Sequence, residues 1–216
     1  MDEKRKNRRL FLATGGVAVT LLASGCQSAL FTLGYLIKGN ERPAAYSGLK
    51  GKTVAVVCRR PAEIQYNQGD IDVDLATRVG VLLKDYYKKK ITIVRPGEVG
   101  EWADRNSWYE FSEVGKAVDA DVVVGIDLEG VSMNDGPTLH RGTFDMEVVV
   151  ADCKTGEELF NHQFSRFQFP RDQGIAVTEK TARDFYRDCV KAVAKQIAEL
   201  FYPSDPYRDF APDPTN

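Results

Sequence analysis

Two short aliphatic runs separated by one amphipathic stretch constrain this chain most. Thr53-Val54-Ala55-Val56-Val57-Cys58, bounded by Gly51-Lys52 and by Arg59-Arg60-Pro61, reads as a buried first strand. Ile91-Thr92-Ile93-Val94, stopped by Arg95-Pro96-Gly97, reads as a second. Between them Ile71, Leu75, Val79, Leu82 and Tyr86 recur at helical spacing, which predicts a helix with one apolar face ending near Tyr87. Asp70 or Asp72 stands where a helix cap is needed, and Lys88-Lys89-Lys90 suits the negative end of the helix dipole. Strand, helix, strand in that order requires a parallel pair joined by a right-handed crossover. Pro61 to Gly69 reads as a polar loop.

The chain beyond this unit changes character. Trp102, Trp108, Tyr109 and Phe111 crowd residues 98–111, and Ser112-Glu113 opens a short helix toward Val118. Asp119 to Leu128 passes into a third strand, the most apolar run of the domain. A loop holding Asn134-Asp135-Gly136-Pro137 separates it from Gly142–Ala151, where Phe144, Met146, Val148 and Val150 alternate with Thr143, Asp145, Glu147 and Val149. That alternation marks a half-buried strand. Asp152-Cys153-Lys154-Thr155-Gly156 is a turn, and Glu158 to Phe169 returns as the last strand. The longest helix covers about Thr181 to Phe201, with Phe185, Cys189, Val193, Ile197 and Phe201 in one stripe and Val190 and Leu200 beside it, until Pro203 stops it. The expectation is one α/β (α+β) domain over residues 49–202, a mixed four- to five-stranded sheet flanked by helices, with a mobile tail at 203–216.

The stretch ahead of the domain is an address. Lys4, Arg5, Lys6, Arg8 and Arg9 form a basic head, followed by a weakly apolar segment and then by Leu22-Ala23-Ser24-Gly25-Cys26. Small residues before a cysteine resemble a bacterial lipoprotein signal, which implies cleavage after residue 25 and lipidation of Cys26. Arg8-Arg9-Leu10-Phe11-Leu12 is similar to a twin-arginine export motif, with Ala13 where lysine is usual. Two other readings stand beside this one. No charged residue falls between Leu10 and Ile37, which is long enough for an uncleaved membrane anchor, and a plain cleaved signal without lipid also fits. Residues 26–48 then form a tether, unusually apolar at Ala29–Ile37.

Charge and cysteine usage narrow the class further. The chain holds 29 basic and 31 acidic residues, net −2; residues 1–25 carry five and two of them, which leaves 24 against 29, or −5, for the remainder. A mildly acidic body argues against nucleic-acid binding, which needs a basic face for phosphates. Once Cys26 is lipidated, three cysteines remain, Cys58, Cys153 and Cys189, so at most one disulfide forms within the chain. None sits in a CxxC pair, and buried free thiols are the simpler expectation.

Three short motifs carry a family resemblance: Val54-Ala55-Val56-Val57, then Ala120-Asp121-Val122-Val123-Val124-Gly125, then Val150-Ala151-Asp152-Cys153-Lys154-Thr155-Gly156-Glu157. With the order of elements, they resemble a group of envelope domains that includes the TolB amino-terminal domain, the curli-secretion lipoprotein and the lipoprotein activators of penicillin-binding proteins. The resemblance covers about Leu49 to Tyr202. It implies a mixed sheet flanked by helices and an accessory, binding role, and it carries over no catalytic residue. Asp119 stands where that group usually has glycine, and the Trp-rich stretch 102–111 has no obvious counterpart.

Asp70-Ile71-Asp72-Val73-Asp74 begins like a calcium loop, but Leu75 replaces the required glycine and Val81 the closing glutamate. His140 and His162 flank the strand 142–151, on positions expected to be open to solvent, where Asp145 or Glu147 could join them at a metal. No ligand spacing supports that. Neither a Gly-x-Ser-x-Gly elbow nor a phosphate-binding glycine loop occurs, and Arg59-Arg60 could grip an anionic group but is more often a solvated strand end. No cofactor motif is found. Trp102, Trp108 and Tyr109 are the candidate interaction surface, against the alternative that they pack into the core. The sequence therefore points to a non-catalytic protein of the cell envelope, lipid-anchored through Cys26, facing the periplasm on the outer membrane, and serving assembly, secretion or transport machinery as a binding partner. The rival readings are an exported hydrolase using His140 or His162 and a purely structural envelope component.

Overall fold

The structure, a computed structural model, describes residues 42–60 and 70–205. Arg8, Arg9, Cys26, most of the tether, the loop 61–69 and the tail from 206 lie outside the described residues. The chain divides into two units. In one, Arg42 and Ser204 pair through a single antiparallel bridge. The other, Pro43–Pro203, holds the sheet and its helices.

Strand β1 (Thr53–Arg59) is the hinge of the architecture, because every residue from Val54 to Cys58 is buried. Helix α1 (Ile71–Tyr87) returns the chain to β2, which is only Thr92–Ile93, and that strand pairs parallel with β1. Helices α2 (Pro96–Arg105) and α3 (Phe111–Ala117) then carry the chain to β3 (Val122–Asp135), parallel to β1 on its other side. Strands β4 (Leu139–Asp152) and β5 (Glu158–Phe169) continue as an antiparallel meander. The order is β2-β1-β3-β4-β5, and a two-residue strand β6 (Ile175–Ala176) joins the far end of β4. Helix α4 (Ala182–Ala198) closes the unit. The expected mixed sheet flanked by helices is present, with β6 added to the four or five strands expected.

The two faces of the sheet bury different layers. Val54, Val56, Val122, Val124, Ile126, Phe144, Met146, Val148 and Val150 face α1 and α4 in the main core. Phe185, Cys189, Val193, Ile197 and Phe201 are all buried there, so the expected α4 stripe is the one that packs. On the other face Ala55, Val57 and Val123 meet Val99 of α2 and Phe111 and Val114 of α3. This second layer covers β1, the start of β3 and the end of β4, where Ala151 and Cys153 are buried. The remainder of that face on β4 and β5 carries polar side chains instead, with Asn161 Nδ2 donating to Glu147 Oε1 at 2.7 Å and Gln163 Nε2 to Glu129 Oε2 at 2.9 Å.

Several expectations need correction. Helix α1 buries Leu83 and Tyr87 while Leu82 packs on the core only half-buried, because Gly80 rests against Ile93 and Val56 and sets the side that meets the sheet. Tyr86 is turned outward and stacks on Tyr202 at 4.4 Å. Asp70 holds the N-cap position of α1 without a side-chain cap bond. Asp72 pairs with Arg60 at 3.2 Å, and Asp74 accepts from the Tyr186 hydroxyl at 2.8 Å, tying α1 to β1 and to α4. The Pro96-Gly97 pair read as a stop is the start of α2, with proline at the first turn, where its missing N–H costs nothing. The loop around Asn134–Pro137 is shorter than expected: β3 and β4 run to Asp135 and Leu139, and Gly136 turns between them at φ +71°. Cys58, Cys153 and Cys189 are buried and free, as the sequence suggested. Burial pushes the Cys153 thiol up to about 11 and Cys189 up to about 12, so both stay protonated.

The motif aspartates have structural tasks. Asp121 Oδ2 accepts from the Thr53 amide at 2.8 Å and so sets the register of β3 against β1. Asp152 Oδ1 accepts from the amides of Lys154 and Thr155 at 2.8 and 2.9 Å, closing the β4–β5 turn. Those bonds hold its carboxyl below the usual carboxylate range. Asp119, the residue standing in place of a usual glycine, sits at φ +55°. Aspartate tolerates this left-handed conformation better than a branched residue. Asp119→Gly should therefore leave the melting temperature nearly unchanged, while Asp119→Val should lose about 1–2 kcal/mol. Equal melts for the two variants would contradict the assigned backbone conformation.

Candidate interaction site

The side chain that organises the region around the aromatic stretch is Arg59. It ends β1 directly opposite Asp127 of β3, and its Nε donates to Asp127 Oδ2 at 3.2 Å, with Nη2 bonded to the same oxygen. Its Nη1 reaches across to the connection between α2 and α3 and donates to the backbone carbonyl of Tyr109 at 2.8 Å. The guanidinium lies 4.9 Å from the centre of the Phe111 ring and 5.5 Å from that of Trp108. A planar cation can make all these contacts at once, bonding in its plane and stacking on its faces. The hydrogen bond to Asp127, reinforced by the charges of Asp127, Glu110 and Glu147, raises the Arg59 pKa above its ordinary value. Arg59 is thus engaged as a staple between the sheet and the connection, not a solvated strand end.

The connection is fixed on its own side as well. Asn106 Nδ2 donates to the Trp102 carbonyl at 2.8 Å, and Trp108 Nε1 donates to the Ala103 carbonyl at 3.2 Å. Glu110 and Glu113 form a reciprocal capping box at the start of α3. Close packing of α3 on the sheet depends on two glycines. A Cβ at Gly125 would fall 2.4 Å from the Phe111 ring, and one at Gly115 would fall 2.4 Å from Cys153 Sγ.

The three aromatic residues named from the sequence divide. Trp102 and Trp108 are half-buried and pack on the second core layer, as the alternative reading expected. Tyr109 is 81% exposed, the most open large side chain among the exposed hydrophobics, although its backbone is held by Arg59. Beside α2 an open groove of about 740 Å³ is lined by Arg95, Glu98, Glu101, Trp102, Arg105 and Asn106. Its charges are mixed, and Arg95 already pairs with Glu98 at 3.2 Å.

The histidines are not brought together. His140 faces Asn134 on β3 and Ile175 on β6, whereas His162 faces Val148, eight residues further along β4 and roughly 27 Å away. His140 is only 7% exposed, stacked on Phe185 at 5.0 Å with Nδ1 3.1 Å from Asn134 Oδ1, which corrects its expected exposure. Asp145 and Glu147 project from the opposite face of the sheet, as the alternation along β4 requires. Among the described residues no group of three or more His, Cys, Asp or Glu is placed to hold a metal ion, and no helix is long and apolar enough to cross a membrane. The role of Arg59 escaped the sequence reading; its only trace there was a basic residue closing a strand ahead of an aromatic-rich segment.

No family model matches the chain, and no curated protein does. Solved structures do. The PelC dodecamer from Paraburkholderia phytofirmans is 11% identical over 74% of this chain and 93% of that one, with a TM-score of 0.43. Lipoprotein GNA1162 from Neisseria meningitidis is 14% identical over 68% and 97%, with a TM-score of 0.41. The LpoB C-terminal domain from Salmonella enterica is 15% identical over 53% and 82%, with a TM-score of 0.33. The solved structures this chain is similar to thus include a bacterial lipoprotein.

Replacing Arg59 by alanine removes the partner of Asp127 and frees the Tyr109 carbonyl. The expected loss is about 1–3 kcal/mol, with faster proteolysis within 106–110. Lysine should restore only part of this, because it cannot stack and fork together. Full rescue by Arg59→Lys in melts and in limited proteolysis would contradict the stapling role.

Proposed function

We propose that this chain is a lipid-anchored, non-catalytic protein of the cell envelope, held by acyl chains on Cys26 and acting through contact with a protein partner. The observation that carries the anchoring is the run Leu22-Ala23-Ser24-Gly25 before Cys26, behind the basic head that includes Arg8 and Arg9. The contact role is supported by Tyr109, a large side chain exposed to solvent on a backbone tied down at both ends. A rigid aromatic anchor loses little conformational entropy on docking, and tyrosine is among the residues that dominate interface energies. Trp102 and Trp108 serve this surface as its base. The face that the lipid presents is the periplasmic one, and the outer membrane is the proposed site. Twin-arginine export is the proposed route.

Cys26→Ser should lose the acyl mass and accumulate as uncleaved precursor; an intact mass without lipid on wild-type Cys26 would refute the anchor. Lipid on more than one chain is what makes such anchoring stable, since a single chain gives only about 10⁴ M⁻¹. For the contact, Tyr109→Ala should weaken partner binding by about 2 kcal/mol with the melt unchanged. Trp108→Ala should instead lower stability by about 3 kcal/mol. Loss of binding without loss of stability in Trp108→Ala, with Tyr109→Ala silent, would reassign the surface.

A further inference from the structure

Strand β5 pairs with β4, and its second edge meets no other strand among the described residues. Edges of this kind are commonly blunted by bulges, and β5 has two. One lies between Glu158 and Phe160, opposite Ala151 and Val150. The other lies between Phe164 and Phe167, opposite Met146 and Phe144, where Arg166 takes φ +56° and its amide donates to Asp145 Oδ1 at 2.7 Å. Between the bulges only Phe160 to Phe164 follows regular register.

That interval reads nearly alike in both directions about His162, and charges of opposite sign flank it at equal distance. Phe160, His162 and Phe164 share the helix-side face, where they are half-buried, with the His162 ring 4.5 Å from Phe164 and stacked parallel to Phe160 at 6.4 Å. Asn161 and Gln163 share the open face, held by Glu147 and Glu129. Glu158 and Arg166 stand at equal distance on either side, both exposed: Glu158 faces Ala151, and Arg166 lies beside Asp145. When the strand is laid antiparallel against a copy of itself with His162 on the axis, Phe160 meets Phe164, Asn161 meets Gln163, and Glu158 meets Arg166. Phenylalanines thus face each other at 160/164 and opposite charges at 158/166, pairs that stabilise neighbouring strands, while the amides of Asn161 and Gln163 meet between them. A two-fold interface requires this self-complementarity.

We infer that β5 is the interface for a second copy of this chain, joined antiparallel about His162 into one continuous sheet. This goes beyond the proposed contact through Tyr109, which lies on the connection between α2 and α3. The symmetric contact is read by disulfide capture in the full-length protein purified in detergent. His162→Cys places two thiols across the axis at a Cα separation of about 4.5–5.5 Å, within the range a disulfide spans. Gln163→Cys places its thiols roughly 8 Å apart, outside that range. Under mild oxidation His162→Cys should give a covalent homodimer and Gln163→Cys should not, with wild type as the control for the native cysteines. Sedimentation supplies the second arm. Glu158→Arg and Arg166→Glu should each weaken self-association at least ten-fold with the melt preserved, and the double exchange should restore it. A wild-type protein that stays monomeric, equal crosslinking at 162 and 163, a 162 adduct with a different protein, or no rescue by the double exchange would each overturn the proposal.

Discussion

Burial of β1 on both faces is the constraint on which the rest of the unit depends. Five consecutive residues, Val54 to Cys58, are buried, so helices are required on both sides of this one strand. The crossover through α1 supplies one layer, and the crossover through α2 and α3 supplies the other. Arg59 is the first residue of the strand that can carry a charge, and it emerges where the second layer ends. Its guanidinium therefore has a carboxylate beside it in the sheet and two aromatic rings from the covering connection within reach. The position of Tyr109 follows from that contact.

The antiparallel half of the sheet obeys a different rule. Its helix-side face is covered by α4, while its other face is left to Glu129, Glu147, Asn161 and Gln163, which bond to one another across the strands. An antiparallel sheet tolerates such one-sided burial. The unit thus has a sealed parallel half and an open meander half, and the two proposed contact regions fall on different parts of it. Tyr109 belongs to the sealed half and β5 to the open one. Neither region assembles a nucleophile, a base and a stabilising donor. His140 is committed to Phe185 and Asn134, and His162 to a strand face between two phenylalanines.

What was legible in the sequence had a strong period. The buried β1 run, the alternation along β4 and the four-residue stripe of α4 each allow one placement, and the structure has them there. Weak or ambiguous periods misled. Both Leu82 and Leu83 fit the α1 stripe, and only the close approach of Gly80 to Ile93 and Val56 chooses between them. Pro96-Gly97 is equally a stop and a helix start, and tertiary packing of Val99 decides it. The site was half legible. Aromatic density marked the connection, but the Arg59–Asp127 contact joins residues far apart in sequence that become neighbours only through parallel pairing. The placing of Trp108 and Phe111 against the guanidinium depends on that same contact.

The central claim is that the domain acts through a fixed contact surface carried by Tyr109. A photoreactive residue introduced at position 109, compared in intact cells with the same residue at Val81 on the exposed side of α1, tests it most directly. The account predicts one discrete adduct with a different protein from position 109 and none from position 81. Equal labelling from both positions, or an adduct from 81 with none from 109, would contradict it.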